Sequence, residues 1–186
     1  MKLQEILQKN IKRVLLTEDE IQRRVKELAD EISRDYSQAE KILMIGILKG
    51  AFIFLADLSR QINIPHSVDF MAISSYGKGA TSTGAVRFVL DLREPIENQQ
   101  VVIVEDIIDT GATLKYLYKI LQSRQPASLR TCVLLKKQRQ QLDVPIDYLG
   151  FEIPNVWVVG YGLDYADTFR TLPYIAELKQ EIYQGT

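Results

Sequence analysis

Val101-Val102-Ile103-Val104-Glu105-Asp106-Ile107-Ile108-Asp109-Thr110-Gly111-Ala112-Thr113-Leu114 is the stretch that decides the fold. Its first four residues are the purest β-branched run in the chain, and branching at Cβ suits a strand packed on both faces. Such a strand belongs in the middle of a sheet. Small residues follow and lead into a helix expected from Thr113 to about Gln122. In an open α/β sheet, ligands bind at the carboxyl ends of the strands. Thr110, Gly111, Ala112 and Thr113 would offer free backbone N–H groups, two hydroxyls and the positive end of a helix dipole, which together suit a phosphate. The carboxylates of Glu105, Asp106 and Asp109 beside that cradle would repel an anion on their own. A sugar diol donating to Glu105 and Asp106, or a magnesium ion between carboxylates and phosphate, reconciles the two. The purely structural alternative has Glu105 and Asp106 ending a strand and Asp109 capping the helix. The chain contains neither G-x-x-x-x-G-K-[ST] nor G-x-G-x-x-G, which argues against a P-loop NTPase and a dinucleotide-binding Rossmann protein.

Upstream, Ile42 to Leu48 is a continuous apolar run short enough for another fully buried parallel strand. Lys49-Gly50 ends it, and Ala51 to Leu58 reads as a helix. Ser67 to Ile73 alternates as a strand and gives way to residues 74–84, small, polar and glycine-rich, too long for a tight hairpin and expected to be a mobile loop. Val86 to Leu90 is the next strand. Near the N-terminus, Thr17-Glu18-Asp19-Glu20 is a capping box, and Ile21, Val25, Leu28, Ala29 and Ile32 mark the apolar face of the helix that follows. Downstream come a strand from Leu129 to Leu135, a basic loop from Lys136 to Gln141, and short strands near Tyr148 and Trp157. The alternating order predicts one α/β domain over residues 1–186: an open, mostly parallel twisted sheet flanked by helices, with a small C-terminal appendage.

Composition narrows the function classes. The 186 residues are 46% apolar and 25% charged, with 23 Lys and Arg against 24 Asp and Glu, so no basic surplus is available to track a nucleic-acid backbone. No apolar stretch approaches the length of a membrane span, and MKLQEILQKN lacks an apolar signal core, which points to a cytoplasmic protein without a membrane partner. One cysteine, Cys132, and one histidine, His66, cannot build a zinc site of four side-chain ligands, and both read as structural. Any metal must then be held by oxygen, as magnesium or calcium is.

The string Val101 to Leu114 resembles the 5-phosphoribosyl-1-diphosphate motif of phosphoribosyltransferases, in the form found in hypoxanthine-guanine phosphoribosyltransferases. Further blocks match in the same order: Leu48-Lys49-Gly50, Ser75-Tyr76-Gly77, Gly150-Phe151-Glu152-Ile153-Pro154, and Val158-Val159-Gly160-Tyr161-Gly162-Leu163-Asp164-Tyr165. The resemblance implies a type I phosphoribosyltransferase fold whose hood, residues 136–170, holds the base, and a purine salvage reaction. In that reaction the 5-phosphoribosyl group passes to hypoxanthine or guanine, giving IMP or GMP and pyrophosphate. It also implies Mg2+ as cofactor and a homodimer or homotetramer.

Carried over by residue, the resemblance puts Glu105 and Asp106 on the ribose hydroxyls, directly or through magnesium, and Asp109 beside the purine N7 as general base. Thr110, Gly111, Ala112 and Thr113 would hold the 5-phosphate. Lys49, after a cis peptide, and Gly50 would contact the pyrophosphate together with Arg170, and Asp164 would be a ligand of a second magnesium ion. Trp157, where the family usually has phenylalanine, would stack on the purine, with the carbonyls of Val158 and Asp164 on its edge. Counting back from Gly150-Phe151 places Lys136 at the lysine that donates to the 6-oxo group, with Lys137 one residue away. In bacterial members an acidic residue commonly precedes that lysine and a proline follows, where this chain has Leu135 and Lys137. Ser75 and Tyr76 would open the loop that closes over the site. A regulator that senses the same donor and binds RNA or DNA is the competing class, and the balanced charge argues against it. A pyrimidine or adenine phosphoribosyltransferase is the nearer rival.

Overall fold

The Thr17 hydroxyl accepts the Glu20 N–H at 3.3 Å while the Glu20 carboxylate accepts the Thr17 N–H at 2.8 Å, so both orphan donors at this helix start are satisfied. The helix that follows, α1 (Glu18–Asp35), buries Ile21, Val25, Leu28, Ala29 and Ile32, the stripe expected from their spacing. The computed structural model describes residues 7, 9–75, 86–138 and 144–183.

Among the described residues, six strands form the main sheet: β2 (Ile42–Leu48), β3 (His66–Ser75), β4 (Val86–Leu90), β5 (Gln100–Ile108), β6 (Ser128–Lys137) and β7 (Tyr148–Ile153). They lie in the order β4-β3-β2-β5-β6-β7, all pairs parallel except β3 with β4. β5 is therefore flanked on both sides, as its β-branched run predicts. Helices α1 and α2 (Phe52–Gln61) pack on one face over Met44, Val102, Val104, Cys132 and Leu134. On the other face, α3 (Ala112–Ser123) sets Leu114, Leu117 and Leu121 against Val101, Ile103 and Val133. Each such leucine contributes about 1.5–3 kcal/mol by leaving water. Both faces are thereby covered, which a parallel sheet requires.

A second, three-stranded antiparallel sheet, called the hood below, has the order β1-β9-β8, from β1 (Ile11–Leu16), β8 (Val158–Val159) and β9 (Ile175–Leu178); of the expected hood range 136–170 it takes only β8, residues 136–137 and 148–153 being strand in the main sheet. It ends in α4 (Gln180–Tyr183). The N-terminal strand is a feature that local patterning did not predict: Lys12 and Arg13 interrupt its apolar run and pair with the buried Glu177 of β9 at 2.8 and 2.7 Å.

One boundary differs in a way that matters for the site. Lys136 and Lys137 continue β6 rather than opening a loop, because β7 supplies their ladder partners, Glu152 and Ile153. Ser74 and Ser75 finish β3, while Tyr76 and the rest of the 76–84 stretch expected to form a mobile loop lie outside the described residues. Among the described residues, no helix is long and apolar enough to cross a membrane.

Candidate active site

The carboxyl ends of β2, β5 and β6 converge on one cleft. From β5 come Glu105 and Asp106, from the turn after it Asp109 to Gly111, from the end of β2 Lys49 and Gly50, and from β6 Lys137. Three chambers of the cleft border the Glu105–Asp106 pair, the first lined by Glu105, the second by Asp106 and the third by both.

The first, about 110 Å³, is lined by Glu105, Ile107, Ile108, Asp109, Thr110, Gly111, Thr113 and Leu114. Gly111 caps α3 at φ +77°, a left-handed conformation that glycine adopts without steric cost, and the Ala112 N–H reaches the Thr110 hydroxyl at 3.4 Å. No acidic residue sits in the first turn of α3, so its N-terminal partial charge is left for an anion.

The second chamber, about 260 Å³, is lined by Asp106, Ile107, Asp109, Lys137, Trp157, Val158, Leu163 and Asp164. Lys137 Nζ donates to Asp109 Oδ2 at 3.1 Å, and its side chain is only 12% exposed. Lys136, the residue expected to face the base, does not line this chamber and instead pairs with Glu152 at 2.8 Å. The strand pleat is the reason. Successive strand residues point to opposite faces, so Lys136 turns to Glu152, its ladder partner on β7, while Lys137 turns to Asp109 in the turn before α3.

The third chamber, about 210 Å³, is lined by Ile47, Leu48, Gly50, Ile73, Glu105, Asp106 and Thr113. The Leu48–Lys49 peptide is cis. Gly50 has no room for a side chain, since a Cβ there would lie 1.6 Å from Asp106 Oδ2. Gly162, at φ +101°, also packs closely on the Gly50 carbonyl, a Cβ there falling 2.0 Å from that oxygen. Arg170 fixes this contact by donating to the Gly162 carbonyl at 2.8 Å and pairing with Asp164 at 2.7 Å. Asp167 was not singled out in the sequence, yet its Oδ1 accepts from both Lys49 Nζ and Arg170 Nη2 at 3.0 Å. Leu163 and Gly162 were likewise visible only as part of a longer string; their signal was the glycine spacing around Tyr161.

Electrostatics mark the pair that the chambers border. Glu105 is 7% exposed, and its Oε2 is a buried side-chain oxygen with no hydrogen-bond partner among the described residues. Burial, and then the adjacent Asp106 carboxylate, push its pKa well above the ordinary glutamate range. Asp106 is also raised, chiefly by burial, although the Ile107 N–H at 2.9 Å and the nearby Arg170 charge oppose the shift. Two crowded carboxylates with an unused acceptor form a receptor for hydroxyl donors or a cation. Among the described residues, no group of three or more His, Cys, Asp or Glu side chains forms a metal cage, so an ion at this pair would need oxygens from a ligand and water to complete its shell.

A helix N-terminus, a carboxylate pair and an aromatic chamber gathered at the centre of a mostly parallel sheet form the ground plan of a phosphoribosyl transferase, and residues 15–166 match the Phosphoribosyl transferase domain family. Closer relatives narrow the class. The hypoxanthine-guanine phosphoribosyltransferase of Dictyostelium discoideum is 49% identical, with 92% of this chain and 97% of the relative aligned. A solved Staphylococcus aureus hypoxanthine phosphoribosyltransferase superposes with a TM-score of 0.90 at 45% identity, covering 98% of this chain and 99% of that one. The Trypanosoma cruzi hypoxanthine phosphoribosyltransferase, solved in complex with the product IMP, gives a TM-score of 0.86 at 45% identity over 93% and 97% of the two chains. The chain belongs to the hypoxanthine-guanine phosphoribosyltransferase family.

Proposed function

We propose that the chain transfers the 5-phosphoribosyl group of 5-phosphoribosyl-1-diphosphate to hypoxanthine or guanine, forming IMP or GMP and releasing pyrophosphate. The observation that carries this reading is that three chambers of different chemistry border the Glu105–Asp106 pair. The chamber at the α3 N-terminus takes the 5-phosphate through backbone N–H groups and the hydroxyls of Thr110 and Thr113. The Gly50 chamber takes the pyrophosphate, with Lys49 and Arg170 at its edge and Gly50 allowing close approach. The Trp157 chamber takes the purine.

Glu105 and Asp106 between them accept from the ribose hydroxyls. Magnesium fits the same pair, because the Glu105 oxygen has no hydrogen-bond partner among the described residues; when bound it would supply neutralisation between carboxylates and pyrophosphate, and Asp164 would serve a second ion. As the bond from the ribose C1 to pyrophosphate breaks, positive charge develops on the sugar ring and negative charge on the leaving group. Lys49 and Arg170 stabilise the departing anion, which requires their contacts to Asp167 to yield to it. The purine N9 forms the new bond to C1, and Asp109 takes the displaced proton at N7. Lys137 donates to the 6-oxo group, so adenine, which presents an amino group there, leaves two donors facing each other.

A base panel tests the reading. With donor and magnesium, hypoxanthine and guanine should be converted and adenine should be inert. Conversion of adenine, or donor binding without turnover of any 6-oxopurine, would overturn it, the latter in favour of a regulator. Two or four copies per assembly follow from the family resemblance, and sedimentation of the full chain gives the number.

A further inference from the structure

Trp157 is the only tryptophan in the chain and remains 45% exposed where it lines the base chamber. A half-exposed indole left free to change rotamer would lose conformational freedom each time a base stacked on it, and that loss would weaken binding. The C-terminal turn prevents this. The Tyr183 ring stacks on the indole with centroids 5.5 Å apart and planes inclined by 25°, and the Tyr165 ring meets it edge-on at 5.8 Å and 84°. Tyr183 is not itself a lining residue of the base chamber.

The turn that carries Tyr183 is tied down by contacts that converge on the same place. The Tyr165 hydroxyl donates to the Ile182 carbonyl at 2.7 Å, so one side chain both touches the indole and anchors the residue before Tyr183. The Leu178 N–H donates to the Trp157 carbonyl at 2.9 Å, and the Lys179 N–H to the Asn10 carbonyl at 2.9 Å. Tyr165 also adjoins Asp164, which lines the base chamber and pairs with Arg170.

From this clamp we infer that Tyr183 is a positioning residue for purine binding, holding Trp157 in the orientation at which a base stacks. The inference rests on the function proposed above and adds a residue that acts through Trp157 rather than on the ligand. An offset aromatic pair is worth enough to change affinity by about 2- to 10-fold.

The test uses full-length protein carrying Tyr183→Leu, Tyr183→Phe and Trp157→Leu, singly and with Tyr183→Leu added to Trp157→Leu. Tyr183→Leu should raise the KM for hypoxanthine about 2- to 10-fold, leaving kcat and the donor KM within about 2-fold. Tyr183→Phe, which keeps the ring, should match the wild type. In the Trp157→Leu background the second substitution should change nothing. Should the leucine variant not fold, Tyr183→Met, which keeps apolar volume without a ring, carries the same expectation. Trp157 emission gives a reading independent of turnover: it should shift to the red and lose anisotropy in Tyr183→Leu. An unchanged purine KM, an equal effect in the Trp157→Leu background, or unchanged emission would overturn the inference. Failure of the wild type to convert any 6-oxopurine would overturn the function reading instead, and the emission measurement would still decide whether Tyr183 holds the indole.

Discussion

Replacing Lys137 by methionine, beside the same change at Lys136, separates two neighbouring lysines to which strand geometry gives opposite surroundings. Lys137 is 12% exposed and donates to Asp109 within the base chamber, whereas Lys136 pairs with Glu152, which is itself 48% exposed. Methionine keeps the length and apolar stem of each side chain and removes the charge. On the proposed role, position 137 loses a charged hydrogen bond to the 6-oxo group in a sheltered site, worth about 1.5–3 kcal/mol, or about 10- to 150-fold in kcat/KM for hypoxanthine. The donor KM should change little, because Lys137 lines neither of the other chambers. At position 136 the loss is a partly exposed ion pair, about 0.5 kcal/mol of stability, which for a domain of this size moves Tm by about 1–2 °C and leaves turnover within about 2-fold. Steady-state kinetics with hypoxanthine, and a thermal melt of each variant, give both halves of the comparison. A large activity loss at Lys136 with little at Lys137 would refute the pleat argument.

Three further outcomes follow from individual contacts. Asp109→Asn keeps the shape of the turn but removes the proton acceptor, so kcat should fall by about 10²- to 10⁴-fold with the donor KM nearly unchanged; survival of turnover within a few-fold would assign the proton to another group. Gly50→Ala places a methyl group 1.6 Å from Asp106 Oδ2, and the displacement needed to relieve it should cost about 10²-fold in turnover, while an active variant would show that the Gly50 approach is dispensable. In the hood, burial alone would raise the Glu177 pKa, but the hydrogen bonds from Lys12 and Arg13 hold it below the ordinary glutamate range. Its stabilising effect is then complete above about pH 4.3 and lost as pH falls through the lower folded-state value. Acid melts of Glu177→Gln should show a flatter pH dependence than the wild type below that point, and identical slopes would contradict the assignment.

The sequence made the centre of the molecule legible because its signals there are local. A β-branched run, a capping box at Thr17 and small residues after Asp109 each act within a few positions, and β5, α1 and α3 form on those signals, although β5 runs on from the β-branched residues through Ile108 and so carries Glu105 and Asp106 itself. The hood was harder to read. β1 exists because Ile175–Leu178 and Glu177 stand opposite it, partners more than 150 residues away whose pairing leaves no trace in a window of sequence. The same limit explains the lysines. β6 is buried on both faces, so apolar alternation did not mark which face each of Lys136 and Lys137 would take, and the folded partners, Glu152 for one and Asp109 for the other, settle it. Asp167 was hidden for a different reason: an exposed aspartate reads as surface until folding brings Lys49 and Arg170 to it.

The central claim is that one cleft holds donor and 6-oxopurine together so that the phosphoribosyl group passes directly between them. Pyrophosphate and IMP should be quantified in the same sample, with protein, magnesium and 5-phosphoribosyl-1-diphosphate, in the presence and absence of hypoxanthine. The account predicts that pyrophosphate release depends on hypoxanthine and equals the IMP formed, mole for mole. Pyrophosphate released without hypoxanthine at the same rate, or donor bound with no IMP formed, would contradict it.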